Sequence, residues 1–125
     1  MKRVVSIASL ALCALLVVLA VTACGTADIE TPTGSIDKAK DVAAKGQIMM
    51  VKTGIAAYTA TSGAPPPMAT QDVLGGFVQP WPANPWTQTP MVPGKQPGDI
   101  VYAPGSGTDY ALGVVLADGS VYNVP

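Results

Sequence analysis

The stretch "SIDKAKDVAAKGQIMMVKTGIAAYTATS", residues 35–62, carries the pattern that decides the fold. Five apolar residues recur in it at steps of 4, 3, 4 and 3: Ala44, Ile48, Val51, Ile55 and Tyr58. Steps of three and four place side chains on one face of an α-helix. Ser35 suits the N-cap, and Gly63 with the prolines after it suits the stop. The sequence therefore predicts one long helix whose apolar face packs on a domain.

Charges and glycines modify this predicted helix. Asp37 is expected in the first turn, where the helix dipole favours an acid. Asp41 and Lys45 stand four residues apart, and this spacing predicts an ion pair. Gly46 and Gly54 each weaken a helix by roughly 1 kcal/mol relative to alanine, so we expect tertiary packing to hold it.

A second, shorter helix is predicted over residues 70–78. Thr70 is the candidate N-cap, and Val73, Leu74 and Phe77 are spaced to share one side. The Gly75-Gly76 pair within this segment disfavours a long helix.

The C-terminal third of the chain reads as strands. Residues 100–102, 109–117 and 121–124 are rich in Val, Tyr, Leu and Ile. Asp118-Gly119 indicates a type I′ hairpin between the last two strands. A long helix followed by an antiparallel meander predicts an α+β fold. We expect one long N-terminal helix packed on a small sheet of three to four antiparallel strands.

Between helix and strands lies a proline-rich segment, in which "WPANPWTQTPM" occupies residues 81–91. Ten of the twelve prolines fall within residues 65–104, at uneven spacing. Each proline fixes φ and removes a backbone donor, so the set favours a long ordered loop with few strand bonds. We expect Trp81 and Trp86 to cover the helix–sheet core. The alternative is an exposed aromatic surface for a partner, with Asn84 and Met91 as further candidates.

The N-terminus has the form of an export signal. Lys2 and Arg3 precede a run of 20 uncharged residues, 4–23, that ends in small residues. The last of these, Val21-Thr22-Ala23-Cys24, resemble the lipobox of bacterial lipoproteins. The resemblance implies diacylglycerol on the Cys24 thiol and cleavage before it. Residues 1–23 would be the signal, 24–34 a tether and 35–125 the domain.

An uncleaved transmembrane helix is the alternative for this segment. Twenty apolar residues at about 1.5 Å each reach across a hydrocarbon core of roughly 30 Å. With Lys2 and Arg3 inside, either interpretation places the domain outside the cytoplasm, on the cell membrane or the outer membrane.

Composition excludes several functions. Residues 24–125 hold five lysines against eight acids, a formal charge of −3, and the chain has no histidine. The shortage of basic residues disfavours nucleic-acid and phosphate partners. Without histidine there is no imidazole base or metal ligand. With Cys13 in the signal and Cys24 lipidated, no disulfide is expected.

The remaining acids do not predict an active site. A carboxylate dyad among Asp99, Asp109 and Asp118 is conceivable, but turn acids usually bond the local backbone. Loop 103–109 offers one carboxylate, whereas calcium takes six to eight oxygens. We therefore predict no catalytic residue, no metal and no cofactor.

The ordered set of segments resembles the soluble domain of type II secretion pseudopilins and type IV pilin-like proteins. The resemblance covers the helix through Tyr58 and Gly63, the segment 81–91, "PGDIVY" at 97–102, and "TDYALGVVLADGSVYNV" at 108–124. It implies a non-catalytic envelope component that docks on other envelope, secretion or pilus proteins.

The residues after Cys24 depart from that family. In assembling pilins, an apolar segment runs directly into the long helix, whereas here "GTADIETPTG" at 25–34 is polar. The expected protein is therefore a pilin-like domain on a lipid tether. The alternatives are a surface lipoprotein that binds small ligands or glycans through its Tyr and Trp side chains, and a minor pilin with an atypical N-terminus.

Overall fold

The predicted long helix is present, and it begins earlier than expected. A computed structural model describes residues 32–125, in which helix α1 spans Pro32–Ser62. The N-cap prediction for Ser35 is wrong, and residues 32–34 belong to the helix. Asp37 consequently lies outside the first turn.

The C-terminal end of α1 is where the sequence predicted it. Gly63 has a φ of +78°, a conformation that disfavours any residue with a Cβ. Its N–H donates to the Thr59 carbonyl at 2.8 Å, which closes the last turn.

The second helix is shorter than predicted. Helix α2 spans Gln71–Leu74. Thr70 holds the N-cap position, but its hydroxyl makes no capping bond. After Leu74 the chain turns, and the N–H groups of Phe77 and Val78 both donate to the Leu74 carbonyl. A Cβ on Gly75 would lie 2.5 Å from the Gln71 carbonyl oxygen, so this turn favours glycine there, whereas a Cβ on Gly76 would have nothing within 4 Å.

Three strands follow: β1 (Ile100–Pro104), β2 (Tyr110–Val115) and β3 (Val121–Asn123). They form an antiparallel sheet in the order β1-β2-β3, with Ile100 opposite Val114 and Val115 opposite Val121. The predicted α+β fold is confirmed, with three strands in the sheet.

None of the helices within residues 32–125 has both the length and the apolar character needed to cross a membrane.

The hairpin between β2 and β3 differs from the predicted type I′ turn. That turn requires positive φ at both central residues, whereas of Asp118 and Gly119 only the glycine has it, at +81°. The N–H of Gly119 donates to the Leu116 carbonyl at 3.0 Å, and the N–H of Leu116 donates to the Ser120 carbonyl at 2.8 Å. A longer hairpin loop with one left-handed glycine results.

The core lies between α1, the sheet and the loops that join them. From α1 it takes the predicted apolar face, and Ile100, Leu112 and Val114 of the sheet meet that face. Asp41 joins α1 to the segment after β2 by a hydrogen bond, because its Oδ1 accepts the Ala117 N–H at 2.9 Å. The predicted ion pair between Asp41 and Lys45 is wrong. The Lys45 Nζ instead lies 5.1 Å from the centre of the Tyr122 ring.

The two helix glycines have different surroundings. A Cβ on Gly54 would lie 2.1 Å from the Val78 Cγ2, so the missing side chain lets residues 77–78 pack against α1. A Cβ on Gly46 would have nothing within 4 Å.

Gly54→Ala should therefore destabilise the domain and Gly46→Ala should stabilise it. We expect the first to lose about 1–3 kcal/mol to overpacking and the second to gain about 1 kcal/mol in helix propensity. Urea unfolding of both variants, followed by tryptophan fluorescence, gives the two changes. Equal stabilisation by both substitutions would contradict the close contact at Gly54.

Candidate functional site

Two groups of residues were predicted to carry function. Cys24 and the residues of the predicted lipobox, Val21, Thr22 and Ala23, lie outside the described residues. Trp81, Asn84, Trp86 and Met91 all lie in the segment from Gln79 to Asp99, which we call the proline-rich loop.

Asn84 lies at the centre of this loop, and 3% of its surface is exposed. Its Nδ2 donates to the Pro97 carbonyl at 2.9 Å. Its Oδ1 accepts the Trp86 N–H at 2.8 Å and the Thr87 N–H at 3.4 Å. One side chain thus joins two parts of the loop that are 13 residues apart in sequence.

The Asn84 backbone closes the turn that follows it. Its N–H donates to the Thr89 carbonyl at 2.7 Å, and its carbonyl accepts the Gln88 N–H at 2.8 Å. Gln88 has a φ of +58°, which few residues other than glycine, asparagine and aspartate adopt readily. Residues 84–89 therefore form a compact turn held at both ends by Asn84.

Gly98 makes room for the Asn84 amide. A Cβ on Gly98 would lie 2.3–2.5 Å from the Asn84 amide atoms, and the φ of Gly98 is +85°. Both contact and conformation require glycine here. The Gly98 N–H also donates to the Val115 carbonyl at 2.8 Å, so the same residue joins the loop to the sheet.

Trp81 and Met91 form a second bond across the loop. The indole N–H of Trp81 donates to the Met91 carbonyl at 2.9 Å. The Met91 N–H donates to the Pro82 carbonyl at 2.9 Å, and the Met91 side chain is buried. Trp81 and Trp86 are half-buried and pack against the core.

The structure brings the four loop residues into two linked pairs, Trp81 with Met91 and Asn84 with Trp86. Asn84 and Met91 are buried, so only parts of the two tryptophans face outward. The importance of Asn84 had a signal in the sequence, since Asn-Pro favours the start of a turn and asparagine can bond the backbone two residues on.

Of the three acids considered for a dyad, Asp99 and Asp118 bond the nearby backbone through their carboxyl groups, and Asp109 does so through its backbone carbonyl. The Asp99 Oδ2 accepts the Gln96 N–H at 2.9 Å. The Asp109 carbonyl accepts the Gly105 N–H at 2.8 Å. Asp118 accepts both the Ser120 hydroxyl and the Ser120 N–H, and these bonds lower the pKa of its carboxyl. Residues 32–125 contain no group of three or more acids, cysteines or histidines placed to hold a metal.

A hydrogen bond from Tyr102 connects β1 to the segment after α1. Its hydroxyl donates to the Pro66 carbonyl at 2.6 Å, and its ring centre lies 6.2 Å from that of Tyr110. Burial raises the pKa of Tyr102, and the nearby Tyr110 and Tyr58 raise it further.

The outer surface of the sheet carries a shallow trough of about 380 Å³. Val101, Val115 and Val121 contribute its apolar lining, and Gly94, Lys95 and Gly119 complete it. The sequence analysis did not predict this trough, because it depends on how the proline-rich loop and the last hairpin lie beside β1.

The comparisons with known proteins found no match. No family model, no curated protein and no solved structure is significantly similar to this chain.

Asn84→Ala should destabilise the domain by about 2–4 kcal/mol, because it leaves the Pro97 carbonyl and the Trp86 N–H without their partner. Urea unfolding followed by tryptophan fluorescence measures the change. Asn123→Ala, at an exposed asparagine of β3, is the control and should change stability by no more than about 0.5 kcal/mol. Similar small effects from both substitutions would show that the loop does not depend on Asn84.

Alkaline pH should unfold the protein partly through Tyr102. The pKa of its hydroxyl is raised in the folded state, so its contribution to stability is complete below the unfolded value of 10.0. That contribution is lost as the pH rises through the folded pKa, because the unfolded chain ionises first. The stability of Tyr102→Phe should fall less steeply above pH 10 than that of the wild type. Parallel pH profiles from urea unfolding would contradict this role.

Proposed function

We propose that this protein is a non-catalytic lipoprotein of the bacterial cell envelope, anchored by lipid on Cys24. Its α+β domain, outside the cytoplasm, would serve as a structural or accessory component. The observation that carries the proposal is the sequence Val21-Thr22-Ala23-Cys24 at the end of 20 uncharged residues that follow Lys2 and Arg3.

The position of α1 supports a domain held close to the membrane. The helix is described from Pro32 onward, eight residues after Cys24. Eight extended residues span at most about 30 Å. A domain on such a tether can reach only proteins at or near the same membrane surface, which favours an envelope component as its partner.

The fold is compatible with the resemblance to pseudopilins. A long helix packs on a three-stranded antiparallel meander, and an ordered proline-rich loop joins them. On this basis we propose docking on a secretion or pilus apparatus. The polar residues after Cys24 favour an accessory protein over a fibre subunit. A minor pilin, the alternative, would be recovered with sheared fibres.

A ligand-binding surface lipoprotein is the second candidate, and the trough on the sheet favours it. The trough has an apolar floor of valines and the Lys95 cation at its rim. This chemistry suits a small apolar anion. NMR spectra of the methyl groups, recorded while a medium-chain fatty acid is added, test this candidate. Selective chemical-shift changes at Val101 and Val121 would support it, and unchanged shifts would count against it.

The intact mass of the protein extracted from its own membranes tests the lipid anchor. We expect the mass of residues 24–125 plus acyl chains. Cys24→Ser should leave a full-length, unmodified chain, because the thiol that accepts the lipid is gone. Cys13→Ser removes a cysteine of the signal and should yield the same mature mass as the wild type. A wild-type mass equal to the unmodified full chain would show a transmembrane anchor instead.

A further inference from the structure

Helix α1 has a second apolar face, opposite the one in the core. Its residues follow one another at steps of 3 and 4: Ala39, Val42, Gly46, Met49, Thr53, Ala56 and Ala60. All seven are exposed, and we call this set the outer seam. Val42 is 70% exposed and Met49 is 41% exposed.

The outer seam contains no charged residue. A helix on a protein surface normally carries charged and polar side chains on the face opposite the core, and a helix that is apolar all round is normally buried. Three of the four lysines of α1, at positions 38, 45 and 52, lie to one side of the seam, whereas Lys40 lies beyond its other side. The exposed Met50 lies on its other side. The seam is therefore uncharged from residue 39 to residue 60, and the hydroxyl of Thr53, its one polar side chain, bonds the Met49 carbonyl within the helix. Residues 77–79 lie beside Met50 and Thr53, but all seven seam residues stay exposed in the described part of the chain.

The spacing of the seam fits another helix lying alongside α1. Alternating steps of three and four keep a seam in contact with a neighbouring helix over several turns, as in coiled coils. Alanine and glycine in the seam allow two helix axes to approach closely, and Val42 and Met49 supply larger side chains for the interface.

We propose that the occupant of the outer seam is the outer seam of a second copy of this chain, parallel and in register. The parallel direction rests on the proposed function: two copies anchored through Cys24 in one membrane both present the N-terminal end of α1 to that membrane. Each α1 begins eight residues after its anchor, which leaves little freedom for one helix to reverse.

The charges beside the seam favour the same direction. Lys38, Lys45 and Lys52 each immediately precede a seam residue, and Ala43, Met50 and Ala57 follow these three lysines by five positions. In a parallel pair, side chains related in this way meet across the interface, so the stem of Lys45 would cover Met50 of the second copy. In an antiparallel pair, the lysine edges of the two helices would face each other and repel.

The domain itself holds this lysine edge in place. The Lys45 Nζ lies over the Tyr122 ring, and the Lys52 Nζ donates to the Pro125 carbonyl. The cations are thereby kept beside the seam and out of it, so the apolar contact surface stays free along its length.

Cysteine cross-linking of the full-length protein in its own membranes tests the proposal. Ala39→Cys, Met49→Cys and Ala60→Cys each place one thiol at the start, the middle or the end of the seam. In a parallel, in-register pair every residue of the seam lies near its own counterpart, so mild oxidation should shift all three variants from monomer to dimer mass. Thr108→Cys, in an exposed loop outside α1, is the matched control and should stay monomeric, as should the wild type.

Three results would overturn the proposal. Dimers of Met49→Cys alone would indicate an antiparallel pair. Dimer yields no greater than that of Thr108→Cys would show that no second copy packs on the seam. The same result is expected if the seam contacts lipid. Cross-links only to other proteins would identify a different partner. If all three variants dimerise, the wild type and Thr108→Cys stay monomeric and the intact mass shows no lipid, the paired seam stands and the lipid anchor fails.

A charge placed in the seam gives an independent check. Met49→Lys introduced into the Ala60→Cys chain would bury two lysines in the interface, and should abolish the Ala60→Cys dimer. Met68→Lys, at an exposed methionine outside α1, should leave that dimer unchanged. Persistence of the dimer with Met49→Lys would contradict a packed seam.

Discussion

The buried amide of Asn84 is the interaction on which the arrangement of the domain depends. It bonds Trp86 and Thr87 on one side and Pro97 on the other, and it fits only because Gly98 has no side chain. Gly98 then bonds Val115 of β2. A segment that is too rich in proline to form strands is thus fixed to the sheet by one asparagine and one glycine. In a domain without a disulfide, such fully satisfied polar contacts help to select one loop conformation among many.

The loop in turn completes the core. Met91 is buried, Trp81 and Trp86 pack against the core from one side, and Ile100 continues from the loop into β1. The Ile100 N–H donates to the Val92 carbonyl and its carbonyl accepts the Gly94 N–H, so the loop also pairs with the outer edge of β1. Prolines reduce the conformational freedom of the unfolded chain, and this lowers the entropy lost when so long a loop becomes ordered.

Helix α1 connects the stability of the domain with its proposed role. One face supplies much of the core, and the opposite face is apolar and exposed. Ordinary packing explains the first face but gives no reason for the second. A short tether to the membrane would concentrate copies of the domain in two dimensions, so that even a modest interface on the outer face could become occupied.

The sequence by itself determined the long helix, its buried face, its end at Gly63 and the three-stranded meander, because each depends on local periodicity and on residues with restricted φ. The pattern Val21-Thr22-Ala23-Cys24, on which the proposed lipid anchor rests, is likewise linear and needs no fold. The predictions from local spacing were wrong where other contacts in the folded chain replace the expected local ones. Asp41 bonds the Ala117 backbone and leaves Lys45, and Asp118 with Gly119 forms a longer turn than the dipeptide predicts. Only the tertiary structure decided the role of Asn84 and the need for glycine at 54 and 98. Each of these depends on residues that meet across the fold, and their separation in sequence carries no periodic signal.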